Sequence, residues 1–223
     1  MRVALSCRRG QYMGGRLVYL VICDGIHSPR ETEGILTMVG QDSRLSQLPM
    51  RHFSPGSPLA VLSGAALRRW LEGYGQPTGG NNPDYPHLII WAFSAGCVGA
   101  VALAQHWQRY RSRVLALFLV DGWGVPAVGP MPLHRLSHDR FTHVSSGWLG
   151  PGTVSFVSQP AVSHPQLWSH PQQVWGYQVQ HHPSGKPVVG PAMPPGRLTA
   201  GDFLCRWSRH YLAQGSDGPP NTP

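Results

Sequence analysis

A serine at position 94 lies where a run of large apolar residues gives way to a run of small ones. Ala92 precedes it by two residues and Gly96 follows it by two. A nucleophile that turns from a strand into a helix needs small residues at these two places, because larger side chains would collide with the neighbouring strand and helix. The segment therefore predicts a reactive hydroxyl at the edge of a sheet. The alternative is that Ser94 only caps the following helix.

The context of Ser94, with a buried strand before it and a small-residue helix after it, resembles the nucleophile turn of the α/β-hydrolase family. The usual pattern there is G-x-S-x-G, and Ala92 replaces its first glycine. The resemblance covers roughly residues 17–212 in element order. It implies a three-layer α/β/α sandwich with a mainly parallel central sheet, and hydrolysis through an acyl-serine without metal or cofactor.

The same resemblance implies an acid and a base that follow Ser94 in the chain. Asp121 ends a third buried run and looks like the strand-end acid of some lipases, although Asp-Gly is also a common turn. The expected strand 153–158 is followed by Gln159-Pro160 and offers no carboxylate. His164 fits the order Ser, Asp, His and is the predicted base. The other candidates for the base are His27, His170, His181 and His182.

A tetrahedral oxyanion needs two fixed N–H donors. One is expected from Ala95, directly after the serine at the start of a helix. The resemblance places the second in the Asp24-Gly25-Ile26-His27 turn, where Gly25 permits close backbone approach and the amide of Ile26 or its neighbour would donate. This turn is not the His-Gly type of many lipases, and an ordinary strand-ending turn is the alternative.

Alternating apolar runs and helix signals around these residues predict an α/β order in one domain. The predicted strands are 17–23, 48–53, 87–93, 114–120 and 153–158, and the predicted helices are 28–39, 57–73, 95–111 and 202–212. The domain is expected to span 16–213, between a flexible leader at 1–15 and a disordered tail at 214–223. Residues 125–152 are interpreted as an excursion, such as a lid, and residues 160–200 as loop.

Composition limits the classes of function. The chain has 223 residues, a net charge of +8, 27 glycines, 22 prolines and four cysteines. The basic residues are scattered, so the charge is interpreted as a solvated surface rather than a nucleic-acid site. No Cys-x-x-Cys pair occurs, which favours free thiols. The longest early apolar run, 17–23, is too short to span a bilayer, and we expect a cytoplasmic protein without stable membrane insertion.

The twelve histidines also raise the possibility of a metal site. His134 and His138 would share one face of a helix, and His181-His182 adds two more nitrogens. No H-E-x-x-H motif accompanies them, so no metal is predicted.

The preferred function is hydrolysis of a small acyl ester or thioester. The alternatives are an inactive binding protein of the same fold, and an acyltransferase.

Overall fold

The computed structural model describes residues 11–74, 85–180 and 196–214, and within them the chain forms nine strands and seven α-helices. The strands are β1 (Tyr12–Met13), β2 (Arg16–Cys23), β3 (Met50–Phe53), β4 (His87–Phe93), β5 (Val114–Val120), β6 (Leu133–Ser137), β7 (Val154–Ser158), β8 (Trp175–Gln180) and β9 (Leu198–Thr199). The helices are α1 (Glu33–Gln41), α2 (Pro58–Val61), α3 (Gly64–Glu72), α4 (Gly96–Tyr110), α5 (Arg140–Gly147), α6 (His164–Ser169) and α7 (Ala200–Gln214). Two 3-10 helices cover Pro29–Thr32 and Leu45–Gln47.

One mostly parallel sheet unites the nine strands. Its order is β1-β2-β4-β5-β6-β7-β8-β9, and β3 also pairs with β2. The strands from β3 through β2, β4, β5 and β6 to β7 are parallel neighbours, whereas β1, β8 and β9 form antiparallel pairs. The fold is therefore mixed α/β, and the predicted mainly parallel sheet is confirmed.

The two faces of the sheet belong to different hydrophobic cores. Along β2, Leu20 and Ile22 pack in a core that includes residues of α1, α6 and α7, whereas Val21 and Cys23 pack in a core that includes residues of α3 and α4. Successive side chains of a strand point to opposite faces, so helices on both faces require a strand that is apolar at every position. This is why the continuous apolar runs of the sequence are the central strands.

The strongest strand patterns are confirmed at almost their predicted limits. The runs at 17–23, 87–93 and 114–120 form β2, β4 and β5, and every residue of β4 and β5 is buried. The weaker patterns at 48–53 and 153–158 form β3 and β7. The predicted start at Ser28 is also found, with a complete capping box, but it opens a 3-10 helix that precedes α1.

The single helix predicted over 57–73 is wrong, because the chain breaks between α2 and α3. The Ser63 hydroxyl accepts a hydrogen bond from the Ala66 N–H and starts a new helix there. Leu59 and Leu62 are exposed, although a continuous helix over 57–73 would place both on its apolar stripe. Leu67 and Leu71 of α3 do pack in the core. A local cap has thus overridden a continuous helical pattern.

The interpretation of 125–152 as an excursion and of 160–200 as loop is also wrong in the described residues. The first segment contains β6 and α5, and the second contains α6, β8 and β9. Strand β6 reads Leu-His-Arg-Leu-Ser and is buried throughout. Its Arg135 guanidinium donates to the carbonyl oxygens of Val125, Leu149 and Gly150, which satisfies the buried charge and fixes the flanking segments.

The helical pairing of His134 and His138 is contradicted because β6 is a strand. His134 points into the core, where its ring nitrogens contact the Val154 carbonyl at 2.9 Å and the Tyr211 hydroxyl at 2.8 Å. Burial lowers the pKa of His134 to about 3, so this imidazole is neutral. His138 instead follows the last residue of β6, at the edge of the sheet.

The ends of the expected domain fall partly outside the described residues. Within the predicted leader, Tyr12–Met13 forms β1 and pairs with β2, and the closing helix runs to Gln214. Residues 1–10 and 215–223 lie outside the described part. The helices of the described residues include none that is both long and apolar enough to cross a membrane. Cys23, Cys97 and Cys205 are buried free thiols, as predicted.

Candidate active site

Ser94 and Asp121 follow two neighbouring parallel strands at the same edge of the sheet. Each continues the strand ladder by one hydrogen bond, from the Ser94 N–H to Val120 and from the Asp121 N–H to Leu136, both at 2.8 Å. Each then has a positive φ, 51° at Ser94 and 52° at Asp121. A non-glycine residue in this region costs of order 1–3 kcal/mol and is typical of functional sites. Ser94 therefore has the strained backbone conformation that the sequence predicted.

A chain of hydrogen bonds joins the three residues that were predicted to act together. Ser94 Oγ lies 3.0 Å from His164 Nε2, and His164 Nδ1 lies 2.8 Å from Asp121 Oδ2. An imidazole whose Nδ1–H donates to the carboxylate leaves Nε2 free to accept from the hydroxyl. The side chain of Asp121 is fully buried, whereas Ser94 and His164 are partly exposed. Ser94 is therefore partly exposed, and its hydroxyl lies within hydrogen-bond distance of an imidazole nitrogen.

Helix α6, which the sequence did not predict, holds His164 in this position. His164 is the first residue of the helix, and Trp168 follows one turn later. The Trp168 ring is buried and contacts the His164 ring edge-on at 4.3 Å between centroids. It also stacks on His27 at 5.5 Å. One aromatic side chain thus packs between the predicted base and the turn that follows β2.

The turn that follows β2 packs directly against Ser94. A Cβ atom on Gly25 would lie 2.8 Å from the Phe93 carbonyl oxygen and 2.9 Å from the Ser94 Cβ. Only glycine allows this approach without displacement, which agrees with the predicted role of Gly25. The Gly25 N–H, however, donates to His27 Nε2 at 3.1 Å.

The two remaining predicted oxyanion donors, Ala95 and Ile26, are available. In the described part of the chain, neither the Ala95 N–H nor the Ile26 N–H has a hydrogen-bond partner. Ala95 directly precedes the first turn of α4, where free N–H groups and the helix dipole favour negative charge. Because the N–H of Gly25 is already used, the Ile26 N–H remains as the candidate for the second donor.

The buried carboxylate of Asp24 connects the same turn to neighbouring elements. Asp24 Oδ1 accepts from the Thr32 hydroxyl at 2.8 Å and lies 2.9 Å from His52 Nε2. Burial opposes ionisation of Asp24, but contacts with His52, Ser54 and Thr32 outweigh it and lower the pKa of the carboxyl group. The ionised group therefore ties the turn to the 3-10 helix and to the end of β3.

Gly96 is the second glycine whose missing side chain the site requires. A Cβ on Gly96 would lie 2.2 Å from the carbonyl oxygen of Asp24. The Asp24 carbonyl oxygen belongs to the backbone of the turn, and the added Cβ would be fixed to the backbone of α4. Relieving the clash would therefore require the turn or the helix to move.

Replacing Gly96 by alanine is expected to destabilise the protein by about 1–3 kcal/mol, because it overpacks a backbone contact. The measurement is the free energy of unfolding in urea. Gly40 in α1 is the matched control, since a Cβ there meets nothing within 4 Å. Gly40→Ala should stabilise the helix by about 0.5–1 kcal/mol. Equal effects of the two substitutions would contradict the tight packing at Gly96.

The other predicted candidates do not join the site as bases. His170 is exposed and its Nδ1 contacts the Ser169 hydroxyl, and His27 is occupied by the Gly25 N–H. His181 and His182 lie outside the described residues. Cys97 is not a competing nucleophile, because it is buried below the turn and burial raises the pKa of its thiol.

His138 contacts the same carboxylate, whereas the sequence predicted it only on a helix face with His134. Its backbone N–H donates to Asp121 Oδ1 at 2.9 Å, and its Nδ1 lies 2.9 Å from Asp121 Oδ2. The strand that precedes His138 was not recognised, since a histidine and an arginine interrupt its apolar pattern. Asp139 also follows this strand, but its carboxylate caps α5 through the Thr142 N–H. Asp121 is the carboxylate that His164 uses.

No protein-family model matches the chain, and no curated protein resembles it significantly. The function is therefore inferred from the geometry of the site.

Proposed function

We propose that this protein is a serine hydrolase that cleaves an ester or thioester through an acyl-serine intermediate. The observation that carries the proposal is the hydrogen-bonded chain from Ser94 through His164 to Asp121, with Ser94 partly exposed at a positive φ between a strand and a helix. Serine, imidazole and carboxylate in this order activate a hydroxyl that is otherwise a weak nucleophile.

The reaction proceeds in two halves. Ser94 Oγ attacks the acyl carbonyl while His164 Nε2 takes the hydroxyl proton, and the same proton then passes to the leaving alcohol or thiol. Water attacks the acyl-serine after giving a proton to His164, and the serine regains that proton as the acid departs. Asp121 keeps the proton of the resting imidazole on Nδ1 and stabilises the imidazolium.

Two backbone amides support the negative oxygen of the tetrahedral intermediate. The Ala95 N–H directly follows Ser94, and the Ile26 N–H belongs to the turn whose Gly25 packs against Ser94. Neither N–H has a partner in the described residues. Fixed donors of this kind contribute several kcal/mol to the lowering of the barrier, because they need no reorganisation when charge develops.

We also propose that the architecture is that of an α/β-hydrolase. In support, a mostly parallel sheet carries the nucleophile after β4, the acid after β5 and the base after β7. No carboxylate directly follows the 153–158 strand, which would favour an inactive protein, but Asp121 directly after β5 contacts His164 instead.

Three exposed apolar side chains lie close in the chain to the residues of the site and suit the acyl part of a small substrate. Ile26 follows the Gly25 turn, Val98 lies one turn into the helix after Ser94, and Trp123 follows Asp121 by two residues. Apolar walls beside a few fixed polar groups are typical of pockets for small molecules.

The test is labelling with a fluorophosphonate, which reacts with activated serines. The wild-type protein should gain one adduct, and peptide mass spectrometry should map it to Ser94. Ser94→Ala should not be labelled, whereas Ser145→Ala, which removes a hydroxyl from α5, should be labelled like the wild type. Absence of an adduct, or an adduct elsewhere, would overturn the proposal. Product analysis with added alcohol distinguishes hydrolysis from acyl transfer.

A further inference from the structure

A second histidine shares the carboxylate of Asp121, and the proposed hydrolysis does not use its ring. His138 Nδ1 lies 2.9 Å from Asp121 Oδ2, the oxygen that His164 Nδ1 contacts at 2.8 Å. The His138 contact lacks hydrogen-bond geometry, and in the described residues this buried nitrogen has no hydrogen-bond partner. A buried, unpaired ring nitrogen that faces a carboxylate requires an explanation.

We propose that Asp121, His138 and His164 form an inhibitory binding site for Zn²⁺. One ligand atom of each residue lies within 4.8 Å of those of the other two. Zinc bonds to nitrogen and oxygen are about 2.0–2.2 Å long, which places tetrahedral ligand atoms about 3.3–3.5 Å apart. Small rotations of the two imidazoles therefore admit the ion without a change in the backbone, and water completes the coordination.

The surroundings of His138 match those of a zinc ligand. Its second ring nitrogen, Nε2, lies 3.5 Å from Asp139 Oδ2, so a carboxylate stands behind the imidazole. Its backbone N–H orients the Asp121 carboxylate through Oδ1. Its carbonyl accepts hydrogen bonds from the Ser158 hydroxyl and the Val162 N–H. Outer contacts of this kind fix the orientation of metal ligands.

The three proposed ligands differ in the exposure of their side chains. The Asp121 side chain is 0% exposed, whereas His138 is 20% and His164 36% exposed. The two histidines are therefore the exposed members of the set, and an ion would reach the buried carboxylate from their side. Two imidazoles with one carboxylate favour zinc, whereas Mg²⁺ and Ca²⁺ prefer oxygen ligands.

Zinc bound in this way would stop the proposed reaction. The ion forms bonds to Asp121 Oδ2 and to both Nδ1 atoms, and the hydrogen bond from His164 Nδ1–H to Asp121 breaks. The proton of His164 moves from Nδ1 to Nε2, so no net proton is released. Nε2–H then donates to Ser94 Oγ and cannot accept its proton. This inhibitory part rests on the proposed serine hydrolase function, whereas binding of the ion does not.

Metal binding is tested first, without any activity measurement. Metal-free protein is titrated with Co²⁺, observed by its visible absorption, and with Zn²⁺ by calorimetry. One ion per chain and a tetrahedral Co²⁺ spectrum are expected. His138→Asn should weaken binding by more than about tenfold, since even an outer partner of a ligand contributes that much. His170→Ala, which removes an exposed histidine, should bind like the wild type. No binding, or equal binding by His138→Asn, would overturn the site.

Inhibition is tested by the rate of fluorophosphonate labelling, compared in Zn²⁺ and in a chelator within each variant. Zn²⁺ should slow labelling of the wild type and of His170→Ala, and it should have little effect on His138→Asn. Mg²⁺ should not slow any of them. Zinc that binds without slowing the labelling would overturn the inhibitory part. An unreactive Ser94 would overturn the hydrolase proposal instead, while the Co²⁺ titration would still decide the metal site.

Discussion

His164→Ala is expected to lower the turnover of an activated ester such as p-nitrophenyl butyrate by about 10⁶-fold, since loss of the base in a serine–histidine–carboxylate unit has an effect of this size. The Ser94 hydroxyl would lose its only acceptor at this edge in the described residues, His164 Nε2 at 3.0 Å. Steady-state hydrolysis measures the loss in kcat, and the rate of fluorophosphonate labelling measures the reactivity of Ser94 independently of substrate binding.

His170→Ala is the matched control for this substitution. His170 lies six residues further along the chain and is exposed, and its ring contacts the neighbouring Ser169 hydroxyl. Its removal should leave turnover and labelling unchanged. Circular dichroism should show that both variants remain folded. A large loss in His170→Ala, or near-normal turnover in His164→Ala, would show that another histidine is the base.

Asp121→Asn is expected to lower turnover by about 10⁴-fold while the geometry is retained, because the amide stabilises the wrong tautomer of the imidazole. The carboxylate now accepts from His164 Nδ1–H at 2.8 Å. An amide NH₂ at that place donates to Nδ1, so the ring proton moves to Nε2. An Nε2–H cannot take the proton of Ser94. The pH–rate profile and kcat of the ester assay are the measurements.

The control is Asp139→Asn, on the neighbouring strand end. The Asp139 carboxylate accepts from the Thr142 N–H at 2.7 Å and caps α5, a position in which asparagine is equally effective. Turnover and stability should therefore change little. If Asp139→Asn abolished turnover and Asp121→Asn did not, the carboxylate of the neighbouring strand would be the acid and the proposed relay would be wrong.

The amino-acid sequence alone determined the central strands and the turn at Ser94. Continuous apolar runs are buried on both faces of a sheet whatever their neighbours are, so β2, β4 and β5 could be predicted from local pattern. Small residues at 92 and 96 on either side of Ser94 are also a local pattern, because they lie at the junction of β4 and α4. These features depend on residues close together in the chain.

Only the tertiary structure decided which histidine meets Ser94 and which second histidine meets Asp121. His164 is 70 residues from Ser94, and nothing local distinguishes it from the other histidines. Its position depends on α6, a six-residue helix whose buried Trp168 packs between His164 and His27. The place of His138 beside Asp121 was not predicted, because β6 buries polar residues, which find partners in distant segments. Periodicity reports burial of apolar surface, whereas hydrogen bonds between distant segments leave no such pattern in the sequence.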